Sequence, residues 1–74
     1  MSRVSDSPLL ITVNSADREI RPGMTVADLL AEMQLNPRFL AVERNLNVVP
    51  RARHADCTLE AGDRLEIVTL VGGG

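Results

Sequence analysis

Leu9, Ile11 and Val13 alternate with other residues in the run Leu9-Leu10-Ile11-Thr12-Val13, which predicts a strand with those three on one face. The turn formers Asn14-Ser15-Ala16-Asp17 close it, and Arg18-Glu19-Ile20-Arg21 then alternates polar and apolar positions. A hairpin with a loop of about four residues follows, with Ile20 on the core side. Pro22-Gly23 punctuates the chain. Val26, Leu29, Leu30 and Met33 recur at i, i+3, i+4 and i+7, the stripe of an amphipathic helix in which Met33 is core filler. Thr25 is placed to cap its first free amides, and Asp28 suits the positive end of the helix. Asn36-Pro37 is expected to stop the helix, Asn36 as a left-handed cap and Pro37 because it cannot continue the turn.

Phe39-Leu40-Ala41-Val42-Glu43 predicts a third strand ending near Asn45, and Val48-Val49 a short edge strand closed by Pro50. Arg51 to Leu59 reads as irregular. Ala61-Gly62-Asp63 turns the chain into a last strand, Arg64 to Val71, with Leu65 and Ile67 on one face and Glu66, Val68 and Leu70 on the other. Phe39 and Ala41 are expected on that second, exposed face, making with Val68 and Leu70 an apolar patch suited to partner docking; the alternative is that these residues pack under loops or complete a core. Arg44 and Arg64 read as solvated surface charge. Hairpin, helix, strand, short strand and last strand, without internal repetition, make an α+β fold with one helix packed across a sheet.

The 74 residues suffice for one domain that buries roughly 60% of its unfolded surface. With Phe39 the one aromatic residue, the core must be aliphatic. A net charge of −2 and the missing aromatics argue against nucleic acid, which calls for basic patches and stacking platforms. No apolar stretch approaches the roughly 20 residues that span a bilayer. A single cysteine permits no internal disulfide and fits a reducing cytoplasm. Cys57 and His54 cannot make a structural zinc site, and nothing supplies the third group that would orient them as a nucleophile and its base. All eight basic residues are Arg, so Schiff-base chemistry and isopeptide acceptance on a side chain are excluded.

Gly72-Gly73-Gly74 follow the last strand directly. Without Cβ atoms such a tail is thin and its terminal carbonyl unhindered, which suits a carboxylate that reacts inside another protein's active site. Glycine-rich ends also occur as frayed termini and linkers. No glycine-rich loop precedes a helix to cradle phosphates, so ATP chemistry at this carboxylate would belong to a partner.

Six segments stand out in order: Ile11-Thr12-Val13-Asn14, Thr25-Val26-Ala27-Asp28-Leu29-Leu30, Ala41-Val42-Glu43, Val48-Val49-Pro50-Arg51, His54-Ala55 and Gly62-Asp63-Arg64-Leu65-Glu66-Ile67-Val68. With the ending Val71-Gly72-Gly73-Gly74 they resemble the ThiS family of ubiquitin-like, β-grasp sulfur carriers. Two departures are Asn14-Ser15, where the family often has Asn-Gly, and Cys57, where it has a small residue. The resemblance implies a mixed sheet of four or five strands whose last strand lies parallel to the first at the centre. It implies a leader over residues 1–8, a β-grasp domain over 9–71 and a flexible reactive tail over 72–74.

It also implies a cytoplasmic carrier rather than an enzyme, monomeric when alone, binding no cofactor or metal itself. An ATP-dependent, ubiquitin-activating-like adenylyltransferase would adenylate Gly74, with Gly72 and Gly73 in its channel. The resulting thiocarboxylate would pass sulfur to thiazole synthase in thiamine biosynthesis. Alternatives with the same ending are the small subunit of molybdopterin synthase, a tRNA-thiolation carrier and a protein-conjugating modifier. A β-grasp interaction module with an inert tail is a further one.

Overall fold

A computed structural model describes residues 7–70, in which five strands form one mixed sheet. Strand β1 spans Leu9–Val13, β2 Ala16–Ile20, β3 Leu40–Arg44, β4 Asn47–Val49 and β5 Arg64–Thr69; the helix α1 spans Val26–Glu32. Their order across the sheet is β2-β1-β5-β3-β4, with β5 parallel to β1 and antiparallel to β3. The strand formed last in sequence is thus the central one, as the resemblance implied.

Burial follows the alternation read from sequence. Ile11, Val13, Val42 and Leu65 point from the strands against Val26, Leu29 and Leu30 of α1, all buried. Met24 and Leu59 belong to the same aliphatic core, and the partly buried Met33 packs against it. The Thr25 hydroxyl accepts the Asp28 amide at 3.1 Å and the Asp28 carboxylate accepts the Thr25 amide at 3.0 Å, a full capping box. Donation from the Thr25 amide first, and then the Thr25 side chain, hold the Asp28 carboxyl below the ordinary carboxylate range.

Three local expectations change. The first hairpin loop is two residues long, Asn14-Ser15, both in the left-handed region at φ 51° and 71°, so β2 begins at Ala16. The right-handed twist of the flanking strands favours such a turn over a wider loop. The helix ends earlier than Asn36: Met33 caps it, Gln34 takes the left-handed conformation at φ 60°, and Asn36 instead caps a 3-10 turn, Pro37–Phe39. Its side chain accepts the Arg38 amide at 2.9 Å, a local bond that competes with helix continuation. The stretch read as irregular contains a second 3-10 turn, Arg51–Asp56, packed against α1.

The second hairpin also turns in two left-handed residues, Asn45 and Leu46, at φ 52° and 74°. Left-handed backbone crowds a Cβ against the following carbonyl and costs about 1–2 kcal/mol outside glycine and, to a lesser degree, asparagine. Ser15→Gly and Leu46→Gly are each expected to raise stability by about 0.5–1 kcal/mol. Urea unfolding should show higher midpoints with unchanged slopes. By the same reasoning Gly62→Ala, at φ 86°, should cost about 1 kcal/mol although nothing lies within 4 Å of the added Cβ.

Candidate functional site

The helix covers one face of the sheet and leaves the other open. On that open face the antiparallel register sets Ala41 of β3 directly across from Val68 of β5. One step further along, the Leu70 amide donates to the Phe39 carbonyl at 2.8 Å, so Phe39 and Leu70 extend the same ladder. Phe39, Val68 and Leu70 are half or more exposed, at 56%, 52% and 50%, and Ala41 lies half-buried between them. The four patch residues read from sequence are therefore together at the end of β5. Phe39 is there from the 3-10 turn rather than from the strand. Gly72, Gly73 and Gly74, the reactive tail read from sequence, lie outside the described residues, as do residues 1–6.

What holds β5 in place is polar. Asp63, buried at the start of the strand, accepts the Arg44 Nε at 2.8 Å, the Asn45 Nδ2 at 3.1 Å and the Glu60 amide at 2.8 Å. Burial by itself would push its carboxyl up, but these donors and the Arg44 charge outweigh that and hold it below the ordinary range. Desolvation likewise works against the Arg44 charge, and the Asp63 partnership reverses it, so Arg44 holds its proton more firmly than a free guanidinium. Arg44 is thus an internal ion-pair partner, not the solvated surface charge its sequence context suggested; Arg64 is exposed.

Two turn asparagines clamp the same strand from opposite sides. The Asn14 amide group accepts the Ile67 amide at 2.8 Å and donates to the Ile67 carbonyl at 3.2 Å. Asn45 accepts the Arg64 amide at 2.9 Å through its side chain and donates its own amide to the Arg64 carbonyl at 2.8 Å. Each turn thereby prolongs the sheet ladder with a side chain. Sequence reading took Asn14 as a turn former and Asn45 only as the end of a strand, and missed these clamps; the one available signal is asparagine as the first residue of a two-residue turn beside a strand.

Cys57 and His54 form no pair. The Cys57 sulfur lies 3.6 Å from the Arg44 Nη1, and His54 is buried with its Nε2 3.2 Å from the Val49 carbonyl. An apolar groove of about 340 Å³ lies between α1 and the second 3-10 turn, lined chiefly by Ala27, Leu30, Ala31, Leu35, Ala52 and Ala55. It sits on the helix side, away from the open sheet face. Among the described residues no three His, Cys, Asp or Glu side chains gather as metal ligands, and no helix is long and apolar enough to cross a membrane.

A five-stranded mixed sheet with one helix across it and a central parallel last strand defines a ubiquitin-like β-grasp domain. The ThiS family model matches residues 11–74, and the chain belongs to that family. It is 42% identical over 64 residues to a thiazole synthase of Paramagnetospirillum magneticum, an alignment covering 86% of this chain and 20% of that protein. It is 42% identical over 50 residues to the sulfur carrier protein ThiS of Bacillus subtilis, covering 68% of this chain and 76% of the relative. The chain therefore spans about three quarters of that carrier but only a fifth of the thiazole synthase. The crystal structure of the thiamine biosynthesis protein ThiS from Geobacter metallireducens superposes with a TM-score of 0.78 at 26% identity, covering 89% of this chain and all of that one.

Asp63→Asn should destabilise the domain by about 2 kcal/mol at neutral pH, the worth of charge-assisted hydrogen bonds lost from a buried site. Because the folded carboxyl lies below its unfolded value of about 3.9, its contribution is complete above that pH and is lost as the pH falls through the folded value. Urea melts at stepped pH should show the wild type weakening below about pH 4 and a shallower acid dependence in the variant.

Proposed function

We propose that this chain is a sulfur carrier of thiamine biosynthesis whose working group is the Gly74 carboxylate. The observation that carries the reading is the family match through residue 74, which takes in all three glycines. A carboxylate is ionised at neutral pH and a poor electrophile. In the proposed reaction one carboxylate oxygen attacks the α-phosphate of ATP on an adenylyltransferase of the ubiquitin-activating kind, and pyrophosphate leaves. A sulfur nucleophile then attacks the acyl carbon, AMP leaves, and Gly74 carries a thiocarboxylate.

The thiazole synthases among the relatives support thiazole synthase as the recipient of that sulfur. The chain itself supplies a sheet, a central strand clamped by two asparagines, and the apolar patch at the end of that strand. Gly72 and Gly73 supply a stretch without side chains for the enzyme's channel. ATP is bound by the activating partner and not by this chain.

With the cognate activating enzyme, ATP and a sulfur source, the intact protein should gain the mass difference between sulfur and oxygen, located at Gly74. Gly73→Ala and Gly74→Ala should fold normally yet lose most ATP–pyrophosphate exchange. Wild-type exchange in these variants, or an unchanged mass in the wild type, would sink the carrier reading. Val68→Asp should weaken binding to the activating enzyme or to thiazole synthase about tenfold or more, as expected for a charge buried in a docking patch. Its unfolding should be nearly unchanged, since Val68 is half exposed.

A further inference from the structure

Beyond the four apolar residues, the open face has a second feature that the family match does not explain. The ladder of β3 and β5 continues away from the tail, from Phe39–Leu70 to Ala41–Val68 to Glu43–Glu66. Residues directly opposite in an antiparallel pair have Cβ atoms about 4.5–5.5 Å apart, and like charges there are destabilising. Neither glutamate has an ion-pair partner among the described residues. On its other side Glu43 faces Val48 of β4, and it is half-buried. Arg64, the next residue along this face of β5, is exposed and has no ion-pair partner among the described residues. With Asp17 and Glu19 on β2, the described residues of the open face carry four carboxylates against the one guanidinium of Arg64, a net −3. The whole chain has only −2, so the negative charge is concentrated on this face.

Like charges directly opposite cost stability, and no ion pair among the described residues offsets this one. We propose that the Glu43–Glu66 pair is a register pin for docking: an arginine or lysine of the partner seats between the two carboxylates while its apolar surface covers Phe39, Ala41, Val68 and Leu70. This rests on the carrier reading above and adds the chemistry of the partner's surface, apolar beside the tail and basic one row further on. The apolar rows can slide against a greasy surface, whereas two carboxylates flanking one cation set a single register and so the reach of the tail. The net negative face also steers a basic partner during encounter.

The test compares wild type with the double variant Glu43→Gln, Glu66→Gln. Calorimetric titration of each against the cognate activating enzyme and thiazole synthase is run at about 50 mM and about 500 mM salt, where screening differs strongly. The double variant is expected to unfold at higher urea concentration, to bind at least one partner about tenfold more weakly at low salt, and to lose most of that deficit at high salt. Equal affinities for both partners at low salt, in a wild type that supports ATP–pyrophosphate exchange, would overturn the pin and leave the carrier intact. A variant less stable than wild type would assign the pair a structural role and also overturn it. A wild type that neither binds nor exchanges would remove the carrier reading, and the pin with it.

Discussion

The buried carboxylate of Asp63 is the joint on which the sheet depends. It stands where the chain leaves the Gly62 turn and enters β5, and it gathers donors from β3, the β3–β4 turn and Glu60. Its backbone carbonyl meanwhile accepts the Thr12 amide of β1 at 3.0 Å. One residue thereby ties both neighbours of the central strand to the point where that strand starts. A small aliphatic core excludes water but is tolerant of direction, because burial of apolar surface is non-directional. Direction comes from the hydrogen bonds, and a buried acceptor left short of donors would be costly.

From that joint the order of β5 follows outward. Asn45 holds the strand at Arg64 and Asn14 holds it at Ile67, so both margins of β5 are bonded over its first four residues. The positive φ at Ser15 and Leu46 is the local strain accompanying turns tight enough to bring those asparagines to the strand. The clamped strand upstream and the side-chain-free sequence downstream are complementary, and both suit the carrier role proposed above.

The open face combines two demands that stability alone would not make. Apolar side chains remain half exposed at Val68 and Leu70, and two carboxylates oppose each other at Glu43 and Glu66. Exposed apolar surface forgoes part of the gain of burial, and opposed like charges cost stability. Their adjacency on one ladder beside the exit of β5 is what makes the sheet's uncovered face, rather than the groove behind the helix, the surface to associate with function. Alternation along each strand already showed which residues share a face. That Phe39 joins them from a 3-10 turn, and that Glu43 meets Glu66, depended on the pairing register.

By itself the sequence determined the elements whose signals are local. The Thr25–Asp28 capping box, the helix stripe, the alternation in β1 and β5 and the tail of three glycines were all legible, because each depends on residues a few positions apart. The strand order was not legible from periodicity and came only from family resemblance, since pairing between residues more than 50 positions apart, such as Asn14 with Ile67, leaves no local trace. The helix stop was misplaced because Gln34, and not Asn36, takes the left-handed position after the Met33 cap, while Asn36 accepts the Arg38 amide in the 3-10 turn that follows. Arg44 looked like surface charge because its partner lies 19 residues away. Local chemistry sets what each segment can become, and only the tertiary structure, by bringing distant donors to buried acceptors, decides which of those possibilities is taken.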